Sequence, residues 1–97
     1  MRARHVTVRG SGIDGGLKSL RERVIPILKE CRGFRGEVVL VDREKGEIIG
    51  ISFWDTEEDM LASEEKLTRA RQETADSAGA SAAPEVRMLE LPIYEPA

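Results

Sequence analysis

The one tryptophan and the one histidine of this 97-residue chain carry most of the chemistry its side chains can offer. Trp54 stands near the end of a β-branched-rich run, Glu47 to Asp55. An indole there can stack on a flat ligand while its N–H fixes one polar atom, although a purely packed indole is the competing reading. His5 lies in an alternating segment, Ala3 to Arg9. With an ordinary pKa of about 6.5 it could act as a catalytic base, or bind a metal with help from Glu90. One such ligand is too few for a metal site, and near the N-terminus a solvent-facing or satisfied histidine competes with the catalytic role. Thr7, Ser52, Met88 and Glu90 complete a candidate ligand-binding set, in which Thr7, Ser52 and Glu90 could orient a hydroxylated aromatic. Polar residues of an interface would look the same. No metal and no cofactor are expected.

Other patterns carry less. Gly10-Ser11-Gly12-Ile13-Asp14-Gly15 matches the G-x-G-x-x-G dinucleotide spacing between a strand and a helix. Asp42 lies 27 residues beyond Gly15, against about 20 in the dinucleotide fingerprint, and the following strand returns as a hairpin rather than crossing over. A flexible strand-to-helix loop explains the glycines. Glu57, Glu58 and Asp59, with Glu64 and Glu65, fit helix-start electrostatics and a solvated face better than a metal cluster. Ile49 to Trp54 lacks the stacked aromatics and basic residues of an RNA-recognition sheet. Cys31, on an apolar helical stripe, behaves as a small apolar residue.

The elements that must position these residues follow from periodicity. Val6 and Val8 alternate with His5 and Thr7, which predicts a first strand. Leu17, Leu20, Val24, Ile27, Leu28 and Cys31 recur at helical steps after Asp14, the expected N-cap, and Pro26 predicts a kink. Gly33 ends that helix. Phe34 to Arg43 and Glu47 to Asp55 read as a hairpin about Glu44-Lys45-Gly46. Thr56 is the expected cap of a second helix reaching about Ser77, burying Met60, Leu61, Leu67 and Ala70, with Glu65 and Arg69 paired on its wet side. Glu85 to Tyr94 reads as a last strand, and Pro92 suits an edge position.

The composition, 40% hydrophobic and 34% charged, is that of a chain that folds. Its length suits a single domain over residues 1–97. A formal charge of −3 offers no basic field for nucleic acid or anionic lipid. The lone cysteine forms no internal disulfide, and neither an export signal nor a membrane span is legible, so a cytoplasmic, soluble protein is expected.

The order β-α-β-β-α-β predicts an α+β, ferredoxin-like sandwich, a four-stranded antiparallel sheet with two helices on one face. The helices are expected to cover Val6, Val8, Val39, Val41, Ile49, Ile51, Phe53, Leu89, Leu91 and Ile93. That leaves His5, Thr7, Val38, Leu40, Ile48, Gly50, Ser52, Trp54, Val86, Met88 and Glu90 on the open face. Such a face is too apolar to stay wet, so a homodimer through it is expected, dimerising into an α+β barrel.

Val24-Ile25-Pro26, Gly33-Phe34-Arg35-Gly36 and Phe53-Trp54-Asp55-Thr56-Glu57-Glu58 together resemble the antibiotic-biosynthesis-monooxygenase-like (ABM-like) family of dimeric α+β barrels. The resemblance implies that dimer and a pocket between the sheet and its overlying elements. It implies a small-ligand protein of unestablished activity or, alternatively, a cofactor-independent monooxygenase acting on a polycyclic phenol. In the haem-degrading branch the matching tryptophan works with a first-strand asparagine and a helical histidine. Here those places hold His5 and Thr7, and Ser63 and Glu64, so haem degradation is not expected.

Overall fold

The computed structural model describes residues 1–97. The chain runs β1 (Arg2–Arg9), α1 (Ile13–Ser19), a π-helical turn (Leu20–Val24), α2 (Ile25–Glu30), β2 (Phe34–Asp42), β3 (Glu47–Trp54), α3 (Glu57–Ser77) and β4 (Glu85–Glu90). The strands form one antiparallel sheet in the order β2-β3-β1-β4, the ferredoxin-like arrangement expected from the sequence. The helices lie on one face, where Val8, Leu20, Val24, Leu28, Ile48, Trp54, Met60 and Leu67 form the core. No helix is long and apolar enough to cross a membrane.

Cross-strand neighbours in an antiparallel pair share a face. Val6 and Val8 face the helices, as expected, and their partners on β3 are Gly50 and Ile48; Arg4 faces Ser52, and Arg2 faces Trp54. Ile48, Gly50, Ser52 and Trp54 therefore point inward, while Ile49, Ile51 and Phe53 point out, the reverse of the sequence expectation. The physical reason is that β3 is apolar on both faces, so alternation alone gives no sign. β4 is reversed too, with Val86 opposite Val6 and Met88 opposite Arg4, and Leu89 outward beside Ala3. For β1 and β2 the expected faces hold. A register shift between Phe34 and Gly36 lets Phe34 and Glu37 both turn inward, opposite Trp54 and Ser52.

The first helix is interrupted before Pro26, which occupies the first turn of α2 and supplies no N–H there. The turn ahead of it widens into a π-helix rather than simply bending. Gly12, not Asp14, is the N-cap of α1; Asp14 instead accepts a hydrogen bond from Arg43 at 3.0 Å. Thr56 caps α3 as expected, its hydroxyl accepting from the Asp59 N–H at 3.0 Å. The buried stripe of α3 carries Ser63 and Thr74 with Met60, Leu67 and Ala70, whereas Leu61 is 50% exposed. The small polar residues on that stripe are matched: the Ser19 and Thr74 hydroxyls hydrogen-bond at 2.8 Å and tie α1 to α3. Arg69 reaches Glu73 at 3.4 Å rather than Glu65.

β4 is an edge strand but ends at Glu90, earlier than expected. The Leu91 N–H still donates to the Met1 carbonyl at 2.9 Å; Pro92 then has none to give, and the ladder stops. Ile93 is exposed instead of joining the core, and Tyr94 leans on Phe53 with ring centroids 5.8 Å apart.

Candidate functional site

β1 is a central strand, so a charged residue on its inward parity must sit beneath the helices. Arg4 does so and is 2% exposed. A buried guanidinium is costly unless its donors and charge are met. One terminal nitrogen donates to the Met60 carbonyl at 2.6 Å and to the Ser63 hydroxyl. The guanidinium carbon stands 5.1 Å from the Trp54 ring, a cation–π distance. Its Nε lies 2.8 Å from Glu64 Oε1 and makes an ion pair there, without a well-aligned hydrogen bond. Glu64 also accepts from Arg71 on the same helix, at 2.6 Å on Oε1 and 3.2 Å on Oε2. Burial pushes the Glu64 carboxyl up, but Arg71 and Arg4 together hold it below its ordinary value. Burial also lowers the Arg4 pKa, opposed by Glu64.

Next to this cluster a small cleft of about 50 Å³ opens between the sheet and the helices. Val6, Val8 and Ile48 form its floor, Leu20, Val24, Leu28 and Leu67 its roof, and Arg4, Glu37, Ser52, Arg71 and Thr74 bring the polar groups. Glu37 shares the inward parity of Val39 and Val41 and has room because Gly50, diagonal to it on β3, has no side chain; a Cβ there would stand 3.4 Å from Glu37 Oε1. Burial pushes the Glu37 carboxyl up to about 7, against the pull of Arg4. Carboxyls raised by desolvation inside clefts are characteristic of proton-transfer sites. A space of this size holds a few waters.

The residues singled out in the sequence do not assemble as one set. Ser52 borders the cleft. Trp54, on the same face, is fully buried and donates its indole N–H to Ser52 Oγ at 2.8 Å, so it stands behind the cleft and orients one of its walls. Its ring meets Phe34 edge-on at 5.6 Å. Met88 and Glu90 share the inward parity but lie on edge strand β4 and do not line the cleft. His5 and Thr7 point to the opposite face, paired with Ile51 and Ile49, so the sheet separates them from Ser52 and Trp54. Sequence reasoning missed Arg4, Glu37, Glu64 and Arg71. The signal for the first two was there: each is a charged residue in register with inward valines, Val6 and Val8 on β1 and Val39 and Val41 on β2. The glycine-rich loop is occupied structurally, with Gly10 donating to the Gly46 carbonyl and Gly12 to the Ala78 carbonyl, each at 2.9 Å.

No protein-family model matches the chain. It is similar to two uncharacterised Mycobacterium tuberculosis proteins. With Rv2557 it shares 38% identity over 86% of the chain, and with Rv2558 37% over 75%. The aligned part spans 38% and 32% of those relatives' lengths, so the chain corresponds to roughly a third of each. Among solved structures, the ActVA-Orf6 monooxygenase of Streptomyces coelicolor, in complex with nanaomycin D, superposes with a TM-score of 0.75 over 99% of this chain and 92% of its own, at 14% identity. An antibiotic biosynthesis monooxygenase gives 0.70 at 17% identity, covering 94% of this chain and 98% of its own. MhuD, with two manganese protoporphyrin IX molecules bound per active site, gives 0.72 at 11%, each chain fully covered. At such identities the likeness speaks for the fold, and the fold of this chain is the ferredoxin-like α+β fold of the ABM-like antibiotic biosynthesis monooxygenases.

Proposed function

We propose that this domain binds a small, flat, apolar or aromatic ligand in the cleft between its sheet and its helices. The observation that carries the proposal is the combination of an apolar floor and roof with a buried arginine and a carboxyl raised to about 7. Small-molecule sites have this make-up, mostly apolar walls with a few fixed polar groups. That proteins of this fold have been captured with nanaomycin D and with a metalloporphyrin supports the reading. Ser52 contributes a hydroxyl, and Trp54 acts through Ser52 rather than by stacking. His5, Thr7, Met88 and Glu90 fall outside this cleft. The test is a binding screen of aromatic compounds against the protein and Gly50→Val, whose added methyls would crowd Glu37 and fill the cleft. Binding lost in a variant with an unchanged circular dichroism spectrum supports the site; equal binding by both overturns it.

A second reading, a cofactor-independent monooxygenase acting on a polycyclic phenol, is favoured by the monooxygenase structures that share the fold. Sustained stoichiometric oxygen uptake with such a phenol would establish it, and binding without uptake would leave a binding module.

We also propose that a second copy covers the outer face of the sheet. Val38 and Leu40 are 44% and 51% exposed there, alongside Ile49, Ile51 and Phe53. Helices shelter only the other side, and a contiguous aliphatic strip of this kind is typical of an interface. Sedimentation tests it: a dimer that Leu40→Asp converts to a folded monomer supports the proposal, and a monomeric parent protein overturns it. The lone, buried, unpaired Cys31 fits a reducing compartment for such an assembly.

A further inference from the structure

We propose that the outer face of the sheet is a pH-sensitive interface between two copies of this chain, with His5 at its centre as the group that loosens it in acid. The inference rests on a second copy covering that face, and goes beyond it by naming the residue that regulates the contact.

Register places the imidazole. Paired residues share a face, so outward side chains run across the four strands in rows. The middle row reads Val38, Ile51, His5 and Arg87, from β2, β3, β1 and β4 in turn. His5 is therefore the fourth residue of an eight-residue central strand, with an isoleucine on one side and an arginine on the other. It is half-buried already in the single subunit, while Arg87 is exposed. Val38 in this row and Leu40 in the next are the aliphatic groups a covering surface has to shelter. Closing over them encloses His5 as well.

Charge sets the sign. Around His5, β3 brings only apolar side chains, Ile49, Ile51 and Phe53, and β1 itself brings Ala3 and Thr7. The charged groups come from β4, with Arg87 directly opposite and Glu85 diagonal to His5. Glu85 is engaged by Arg9 at 2.9 Å, and Arg9 also holds Glu47 at 2.9 Å, so the acids at that end of the face already have their cation. Glu37 titrates in the same pH range but points to the helices, with the sheet between it and His5. A protonated His5 is thus a second cation opposite Arg87, and like charges so placed repel. Water screens that repulsion in a free subunit. Beneath a partner the screening is gone and the imidazolium is desolvated, so both effects oppose protonation in the dimer. A two-fold contact presents the same patch from both copies, which counts the penalty twice. Imidazole in water takes up its proton near about pH 6.5. Cover that makes each imidazole about tenfold harder to protonate raises the dimer dissociation constant roughly thirtyfold between about pH 8 and about pH 5.5.

The experiment is sedimentation equilibrium of the full chain, of His5→Gln and of His5→Lys across that range, with circular dichroism to confirm that each is folded. The parent dimer is expected to weaken at least tenfold, by about pH 5.5. His5→Gln should hold its affinity across the range; because it keeps Glu37, any contribution from that carboxyl appears equally in both proteins. His5→Lys, charged throughout, should dimerise at least tenfold more weakly than the parent at about pH 8. Parallel pH profiles for the parent and His5→Gln, or a His5→Lys dimer as tight as the parent's, would overturn the role of His5 while leaving the face as an interface. A parent protein that is monomeric at every pH removes the interface itself and this inference with it.

Discussion

Replacing Glu37 with glutamine should make the protein more stable, and only above mildly acidic pH. The Glu37 carboxyl is raised from 4.5 to about 7 by burial, partly offset by Arg4, so the folded state holds this proton more tightly than the unfolded chain. Stability associated with Glu37 is therefore fully present below about pH 4.5 and is lost as pH rises through about 7. At about 1.4 kcal/mol for each tenfold change in proton affinity, and with some solvent reaching the cleft mouth, ionising Glu37 costs roughly 2 to 3 kcal/mol. Glutamine keeps the shape and never ionises. The melting temperature of Glu37→Gln should accordingly exceed that of the parent by roughly 8 to 24 °C at pH 8, using about 4 to 8 °C per kcal/mol for a domain of this size. At pH 4.5 the two should coincide. The assay is thermal unfolding followed by circular dichroism in steps from pH 4.5 to 8. A constant difference across that range, or a variant less stable at pH 8, would show that the carboxyl is not desolvated in the way the fold implies.

Three further outcomes can be checked separately. Trp54→Ala removes a fully buried indole with its edge contact to Phe34, its place under Arg4 and its bond to Ser52, and should cost about 3 to 5 kcal/mol in denaturant unfolding. Thr56→Ala deletes the acceptor for the Asp59 N–H and should cost about 1 kcal/mol by the same measurement. Arg4→Gln withdraws the one charge that lowers the Glu37 carboxyl, so its titration midpoint, followed by carbon-13 NMR of the glutamate side chains, should move higher than in the parent protein.

Much of the fold was legible because its clues are local and redundant. The hairpin has β-branched runs around a glycine that adopts φ of 66°, and Thr56 precedes three acidic residues at a helix start. Faces were legible only where one side of a strand is polar. On β1, His5 and Thr7 mark the side away from Val6 and Val8. On β3 isoleucines occur at 48, 49 and 51, and only pairing with β1 decides which of them is covered. That ambiguity hid the site. Once β3 is turned over, Ser52 and Gly50 come under the helices, where Arg4 of β1 and Glu37 of β2 already stood on the expected face. Glu64 and Arg71 could not be recognised in advance, because their seven-residue separation on α3 acquires meaning only when Arg4 rises between the sheet and that helix.

The widened turn at Leu20–Val24 has a bearing on how this lineage can vary. A π turn amounts to a plain helix with one residue too many, so the segments on either side keep their own alignment across a local surplus. Dropping one residue from that stretch would let the helix close up while Ile13–Ser19 and Ile25–Glu30 stay seated as they are. Dropping one from Ile25–Glu30 would swing Leu28 away from its hollow. Length differences among kindred chains should therefore gather at this joint, where the molecule carries slack.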